Sequence, residues 1–340
     1  MKSRMFKLTA LVGAFALIGV VLLTTASAAT SLKTGLKVFV IPKNLGNPYF
    51  TTSDSVKSGG ALKAVLELKG TGKETSGTQA TAASQIPAIQ AAITKGANVL
   101  LVSATDAAAL CPTLKQAMAK KIVVVTYDSD APTCRNLFIN QADSKAIGTS
   151  QVDLIAKQLG GTGEIAIVSA AASATNQNAW IANMKTQLAA KYPKMKLDAV
   201  VYGNDDPTVS TQVTQGLLQQ YPNLKGIISP TTVGIAAAAA VLDTTQYRGK
   251  IKLTGLGTPN SLRKYVNDGT IDGFELWNPA DLGYLAAYAG VNLASGTITG
   301  KAGQSFKAGR LGTYKIGAKS TVLLGPPFVF NKANIAKFNF

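Results

Sequence analysis

The sequence predicts an α/β protein built from two doubly wound lobes, and three observations carry that reading. Apolar, β-branched runs alternate with segments of helical periodicity at a period of roughly 30 residues, the signature of parallel sheets with helical crossovers. The alternation restarts after Gly160-Gly161-Thr162-Gly163, so there are two such runs. Several strands end abruptly in hydroxyl, amide and carboxylate side chains, as at 122–130 (IVVVTYDSD). In open α/β sheets the ligand crevice lies just beyond those carboxyl ends. At 340 residues the chain is too long for one ordinary core and suits two domains of about 150 residues each.

The elements follow in order. Residues 1–29 read as a secretory signal peptide: Lys2, Arg4 and Lys7 precede an apolar run over 8–23, and Ala26-Ser27-Ala28 supplies a small-x-small cleavage pattern. Cleavage is expected near Ala28 or Ala29. The apolar run is short for a membrane span. The first strand is 36–41 (LKVFVI), followed by a polar and aromatic loop over 42–50. One helix is expected over 52–68, a weak strand near 73–75 and a helix over 78–95, where Ile86, Ile89, Ala92 and Ile93 fall at helical spacing. Strand 98–102 and helix 107–120 lead to the central strand, buried on both faces. A short strand over 138–140 and a helix over 144–159 complete the first run. The second run comprises strands 164–168, 197–201, 226–228 and 251–256, with helices 176–190, 207–220 and 235–242. Beyond Gly257, helical segments are expected at 261–267 and 282–294 around a strand at 273–277. The tail has strand character over 313–330.

Composition narrows the chemistry. The chain holds no histidine and two cysteines, so Ser-His and Cys-His pairs and the usual zinc ligand sets are excluded. Cys111 and Cys134 form either a disulfide, which an oxidising compartment permits, or two packed thiols. Basic residues outnumber acidic ones by 34 to 17, and the last 40 residues hold seven Lys/Arg and no Asp/Glu. That balance raises nucleic acid as a partner. However, no helix-turn-helix or zinc-finger spacing accompanies it, and export argues against it. A solvated basic surface near an anionic membrane or wall fits better.

Two functional classes compete for the strand-end residues. The Asp128-Ser129-Asp130 ending imitates a phosphatase of the haloacid-dehalogenase type, with one Asp as nucleophile and Mg²⁺ between carboxylates and phosphate. The Gly160–Gly163 stretch precedes a strand, so it is a lobe-joining turn and not a phosphate loop. A binding site uses the same residues without asking them to react. Planar polar groups pair with sugar hydroxyls, and aromatic faces cover C–H surfaces. The candidates are Lys43, Asn47 and Phe50; Asp128 and Asp130; Asn176, Gln177 and Trp180; Asn204 and Asp205; Thr231 and Thr232; and Trp277 and Asn278. Taken singly, each has a plainer explanation. Thr175 or Asn176 would cap the following helix, and Trp180 would pack against its own lobe.

Several stretches together resemble the type I periplasmic solute-binding proteins of ABC importers, in particular the branch of rhamnose-binding proteins and the autoinducer-2 receptor. They are Phe39-Val40-Ile41-Pro42-Lys43, Cys111-Pro112-Thr113-Leu114-Lys115, Tyr127-Asp128-Ser129-Asp130 with Cys134-Arg135, Ile139-Asn140-Gln141, Asn176-Gln177-Asn178-Ala179-Trp180, Gly257-Thr258-Pro259-Asn260 and Phe328-Val329-Phe330-Asn331-Lys332. The resemblance implies two Rossmann-like lobes about a three-strand hinge, with crossings near Asn140, Gly257 and Trp277-Asn278. An N-terminal lobe is then expected over 30–140 plus 258–277, and a C-terminal lobe over 141–257 plus 278–312. The tail, 313–340, would return along the hinge. For the site, the resemblance carries the receptor's Lys onto Lys43, its central Asp onto Asp128, its helix-opening Gln onto Gln177 and its turn Pro onto Pro230. Asn176 stands where that receptor has Asp, and Thr232 where it has Ala.

The sequence is therefore expected to encode an exported, monomeric sugar-binding subunit with no catalytic activity, cofactor or metal. It would close over a monosaccharide such as rhamnose, another deoxyhexose or a pentose, and pass it to a permease in the inner membrane. Autoinducer-2 binding is the alternative within the family, and a secreted phosphatase the alternative outside it. A sugar-responsive repressor would need a DNA-binding head where this chain has its leader.

Overall fold

The computed structural model describes residues 31–340, so the expected leader and its cleavage point lie outside the described residues. In chain order the first part comprises β1 (Lys37–Ile41), α1 (Pro48–Asp54), α2 (Ala61–Glu67), β2 (Thr71–Glu74), α3 (Ala82–Thr94), β3 (Val99–Val102), α4 (Ala107–Ala119), β4 (Val123–Tyr127) and β5 (Leu137–Asn140). Next come α5 (Ser144–Leu159), β6 (Gly163–Ser169), α6 (Thr175–Lys191), β7 (Met195–Tyr202), α7 (Pro207–Gln220), β8 (Leu224–Ser229), α8 (Thr232–Asp243), β9 (Lys252–Gly255), α9 (Pro259–Asn267) and β10 (Gly273–Leu276). The chain ends with α10 (Pro279–Ser295), β11 (Ser305–Lys307), β12 (Thr313–Lys315), β13 (Thr321–Leu323) and β14 (Phe328–Asn331). Among the described residues no helix is long and apolar enough to cross a membrane.

Two parallel sheets organise these elements. The first runs β13-β5-β4-β3-β1-β2 and the second β7-β6-β8-β9. β10 joins the second through a parallel bridge between Leu256 and Glu275, and β14 pairs antiparallel with β10. Because strand side chains alternate between faces, Val38 and Val40 enter one apolar cluster while Phe39 and Ile41 enter another on the opposite face. β3 divides in the same way: Val99 and Leu101 face one cluster, Leu100 and Val102 the other. All four are fully buried, each contributing about 1.5–3 kcal/mol by its removal from water. These strands read as continuous apolar runs because helices cover both faces.

The expected helix over 52–68 is two helices, broken by Gly59 and Gly60. The break lets α10 approach. A Cβ at Gly60 or at Gly283 of α10 would lie 2.0 Å from the carbonyl oxygen of Ser53, so only glycine permits both contacts. α10 packs on α1, α2, β3 and β4, which places it in the first lobe and not in the second. Conversely, α9 packs on α8, and β10 lies beside β9, so 258–277 belongs to the second lobe. The two segments are exchanged relative to the expectation, and Gly257 is not a crossing.

The crossings occur instead after Asn140, at Trp277-Asn278 and just after Leu323. Two of them lie side by side: Leu324 N donates to Asn140 O at 2.9 Å, and Gly325 N to Gln141 O at 3.3 Å. The tail supplies β13 to the first sheet and β14 to the second. Near the hinge, β10 carries Glu275, which is 1% exposed. Its Oε1 accepts from Ser150 Oγ at 2.6 Å, while Oε2 has no partner among the described residues. Burial pushes this carboxyl up to about 8, an effect that the Ser150 hydrogen bond opposes. Cys111 and Cys134 form a disulfide, tying α4 to the loop after β4.

Candidate functional site

The carboxyl ends of both sheets face one another across a cleft. There, Lys43, Asn47, Tyr49, Phe50 and Asp128 from the first lobe meet Asn176, Gln177, Trp180, Asp205, Pro230, Thr231, Thr232 and Leu256 from the second; Leu276 and Trp277 close the hinge end. These residues enclose a cavity of about 30 Å³. That is room for a water molecule or two, so a monosaccharide enters only when the lobes part or the lining side chains swing aside.

Local structure aims each group. β1 ends at Ile41, and Lys43 turns inward with 3% exposure. Asn47 caps α1 by accepting from Tyr49 N at 3.0 Å, and Pro48 opens the helix, which sets Tyr49 and Phe50 toward the cleft. Asp128 has a left-handed backbone, φ 61°, unusual for a residue with a side chain. Its Oδ2 accepts from Ser103 Oγ at 2.7 Å and lies 3.4 Å from Lys43 Nζ. Its Oδ1 accepts from Asn176 Nδ2 at 3.2 Å. Lys43 Nζ also donates to Asn176 Oδ1 at 3.3 Å, so the three side chains form one buried polar cluster spanning the cleft. The first position of α6 is Thr175 and the N-cap is Ala174, which offers no side-chain bond; within the first turn Asn176 Oδ1 accepts from Gln177 N at 2.9 Å.

Gln177 is committed on one side only. Its Oε1 accepts from Ser169 Oγ at 2.6 Å and Ala170 N at 2.7 Å, which fixes the amide and turns its NH₂ into the cavity as a donor. Trp180 lines the same space, and its Nε1 is buried without a partner among the described residues. Burial raises the Asp205 carboxyl above its ordinary value; Lys43 and a hydrogen bond from Thr231 oppose the rise. Aromatic side chains line the same cavity. Trp277 donates to Tyr49 Oη at 2.8 Å, and its ring lies 6.0 Å from that of Trp180. Tyr49 sits edge-on to Phe50 at 5.1 Å. Leu256 and Leu276 add aliphatic surface.

Of the sequence candidates, Lys43, Asn47, Phe50, Asp128, Asn176, Gln177, Trp180, Asp205, Pro230, Thr231, Thr232 and Trp277 line the cavity. Three do not. Asp130 forms a bidentate pair with Arg135, at 2.7 and 2.9 Å, and accepts from Thr126 Oγ1 at 2.5 Å. Asn278 caps α10 by accepting from Ala280 N at 3.0 Å. Asn204 belongs to a larger cavity at the cleft mouth, of about 780 Å³, which the lining residue Asp205 shares. Asn204 and Asp205 both have left-handed backbones, φ 56° and 51°, and it is Asp205 that reaches the inner cavity. Tyr49, Leu256 and Leu276 lie outside the sequence candidates; an aromatic pair directly after an Asn-Pro helix start was the available signal for Tyr49. Asp130 is held by Arg135 and Asp128 by Lys43, Ser103 and Asn176, and among the described residues no cluster of three or more His, Cys, Asp or Glu side chains is placed to hold a metal ion.

Two parallel-sheet lobes joined by three crossing strands, with polar groups gathered across the cleft between them, define a hinged binding protein. Residues 38–298 match the family model described as periplasmic binding protein domain, and the chain belongs to that family. Among solved structures it is similar to a sugar ABC transporter protein from Actinomyces odontolyticus: 44% identity, 91% of this chain and 100% of the other, TM-score 0.70. It is also similar to an ABC transporter solute-binding protein from Clostridium phytofermentas with bound L-rhamnose: 40% identity, 89% of this chain and 98% of the other, TM-score 0.86. LsrB from Clostridium saccharobutylicum in complex with AI-2 shares the fold at 24% identity, covering 90% of this chain and all of the other, with TM-score 0.85.

Proposed function

We propose that this chain is the extracytoplasmic solute-binding subunit of an ABC importer, that it binds L-rhamnose or a related deoxyhexose or pentose between its lobes, and that it delivers the sugar to a membrane permease without chemically changing it. The observation that carries this reading is that one cavity between the lobes is lined by both charged or amide groups and by aromatic and aliphatic ones. Lys43, Asp128, Asn176 and Gln177 offer charged and amide groups to a row of hydroxyls. Phe50, Trp180, Trp277, Leu256 and Leu276 offer a surface for ring C–H groups or a methyl. A deoxyhexose presents both kinds of surface. The L-rhamnose complex of the relative at 40% identity supports the same class.

Ligand that bridges both lobes favours their closed arrangement and shifts the hinge equilibrium by its preference for that arrangement. Autoinducer-2 is the second reading, favoured by Lys43, Asp128, Gln177 and Pro230. Asn176 weighs against it, because its amide both donates to Asp128 and accepts from Lys43, whereas an aspartate there would only accept. Thr232 adds bulk and a hydroxyl at the same wall. The test is a thermal-shift screen of the purified protein against monosaccharides, polyols and autoinducer-2, since a ligand that binds only the folded protein raises its melting temperature. A shift with L-rhamnose or a related sugar is expected; a shift with autoinducer-2 alone would overturn the sugar reading.

A further inference from the structure

From the contacts made by the start of α6, we infer that Thr175 and Ser173 form a latch that closes the lobes through protein–protein hydrogen bonds alone, and that Asp130 and Arg135 are its positioning pair. Thr175 is half-buried and does not line the cavity. Its hydroxyl donates across the cleft to the backbone carbonyl of Asp130 at 3.0 Å and accepts from Ser129 Oγ at 3.2 Å. Two residues earlier, Ser173 Oγ donates to the carbonyl of Thr105 at 3.0 Å, also in the first lobe. These contacts flank the Lys43–Asn176–Asp128 cluster but leave the cavity-facing groups untouched.

The receiving loop is built to hold still. Asp130 is gripped at both oxygens by Arg135. Arg135 also donates to the carbonyls of Ser320 and Lys319, at 3.0 and 3.1 Å, on the segment that enters β13 and the third crossing. Lys319 and Ser320 both have left-handed backbones, φ 54° and 51°, which turns this pair of carbonyls toward the guanidinium. The Cys111–Cys134 disulfide anchors the same loop from the other side. One path thus joins the α6 hydroxyl to a hinge strand, and it gives Asp130 a role away from the sugar.

Affinity then depends on the fraction of protein that is closed, independent of which sugar arrives. Replacing Thr175→Val keeps the shape and removes both hydrogen bonds; an effect of about 5- to 20-fold on affinity is expected. The experiment measures calorimetric affinity for two sugars that the protein binds, together with the small-angle-scattering radius of the sugar-free protein. Expected are an equal loss of affinity for both sugars, recovery with Thr175→Ser, a larger sugar-free radius for Thr175→Val, and an unchanged radius at saturating sugar. Ser173→Ala should act in the same direction. Unequal losses would show that Thr175 contacts ligand and would overturn the latch, as would sugar-free radii that do not differ. The affinity arm rests on the sugar-binding reading, and the scattering arm does not. A protein that binds no sugar yet opens on Thr175→Val would refute that reading and keep the latch.

Discussion

Removing Lys43 tests whether the cluster at the cleft is held by charge. Lys43 Nζ lies 3.4 Å from the Asp128 carboxylate, with side-chain exposures of 4% and 7%. At an effective dielectric constant of about 20, unit charges at that distance attract by about 5 kcal/mol. Their burial has already cost several kcal/mol for each ion, so the pair's net contribution is small; breaking it by removing one partner is expensive, about 3–5 kcal/mol. Lys43→Met leaves Asp128 with only the Ser103 hydroxyl and the Asn176 amide, and a buried charge without its counter-ion. Asp128→Asn leaves the converse. The double variant Lys43→Met/Asp128→Asn carries neither charge and should cost less than either single change. The coupling should therefore be at least about 2 kcal/mol, in the sense that the second substitution rescues the first. Urea unfolding followed by tryptophan fluorescence reads this directly, since Trp180 and Trp277 both line the cavity. All three variants should lose sugar binding. Additive destabilisation would refute the argument: it would mean that the two charges do not depend on each other.

Two further outcomes follow from a buried carboxyl near the hinge and from the disulfide of the first lobe. Burial raises Glu275 to about 8 from the ordinary 4.5, so the folded protein holds this proton where the unfolded chain has lost it. Stability is therefore fully present below about pH 4.5, falls as pH rises toward 8, and levels off above. The loss over that window is of order 4 kcal/mol, and Glu275→Gln should flatten it in melting temperatures taken from pH 5 to 9; an unchanged slope would remove Glu275 as the cause. The Cys111–Cys134 bridge spans 23 residues. Closing such a loop stabilises by about 3 kcal/mol, so a reducing agent should lower the melting temperature of the native chain but not of a Cys111→Ser/Cys134→Ser variant.

Most strands and helices were legible because each buries a contiguous or periodic apolar face, and α5 and α7 begin and end where the pattern says. What the pattern does not encode is which sheet a helix covers. α9 and α10 are both preceded by short strands and both start with proline, so nothing in the pattern corrected the crossing that the resemblance put at Gly257, and their lobes were exchanged. The information lies in a contact between distant residues, the approach of Gly283 to Ser53. The site was legible as a set of strand ends, since parallel sheets bring these ends together. Individual side chains were less so. Asp130 and Asn278 are polar residues at strand ends whose capacity is spent locally, on Arg135 and on the first turn of α10. Asn204 and Asp205 share one backbone conformation, and residue type does not say which of the two turns inward.

The tail has a consequence for the order of assembly. β13 completes the edge of the sheet that begins at Lys37, and β14 closes over β10 in the other. Phe138 in β5 therefore waits for Thr321, 183 residues later, before its edge is paired. A chain made from its N-terminus can finish neither sheet until residues 321–331 have appeared. Pairings of such long range are also the slow ones, so both lobes should complete late, once residues 321–331 are available to pair.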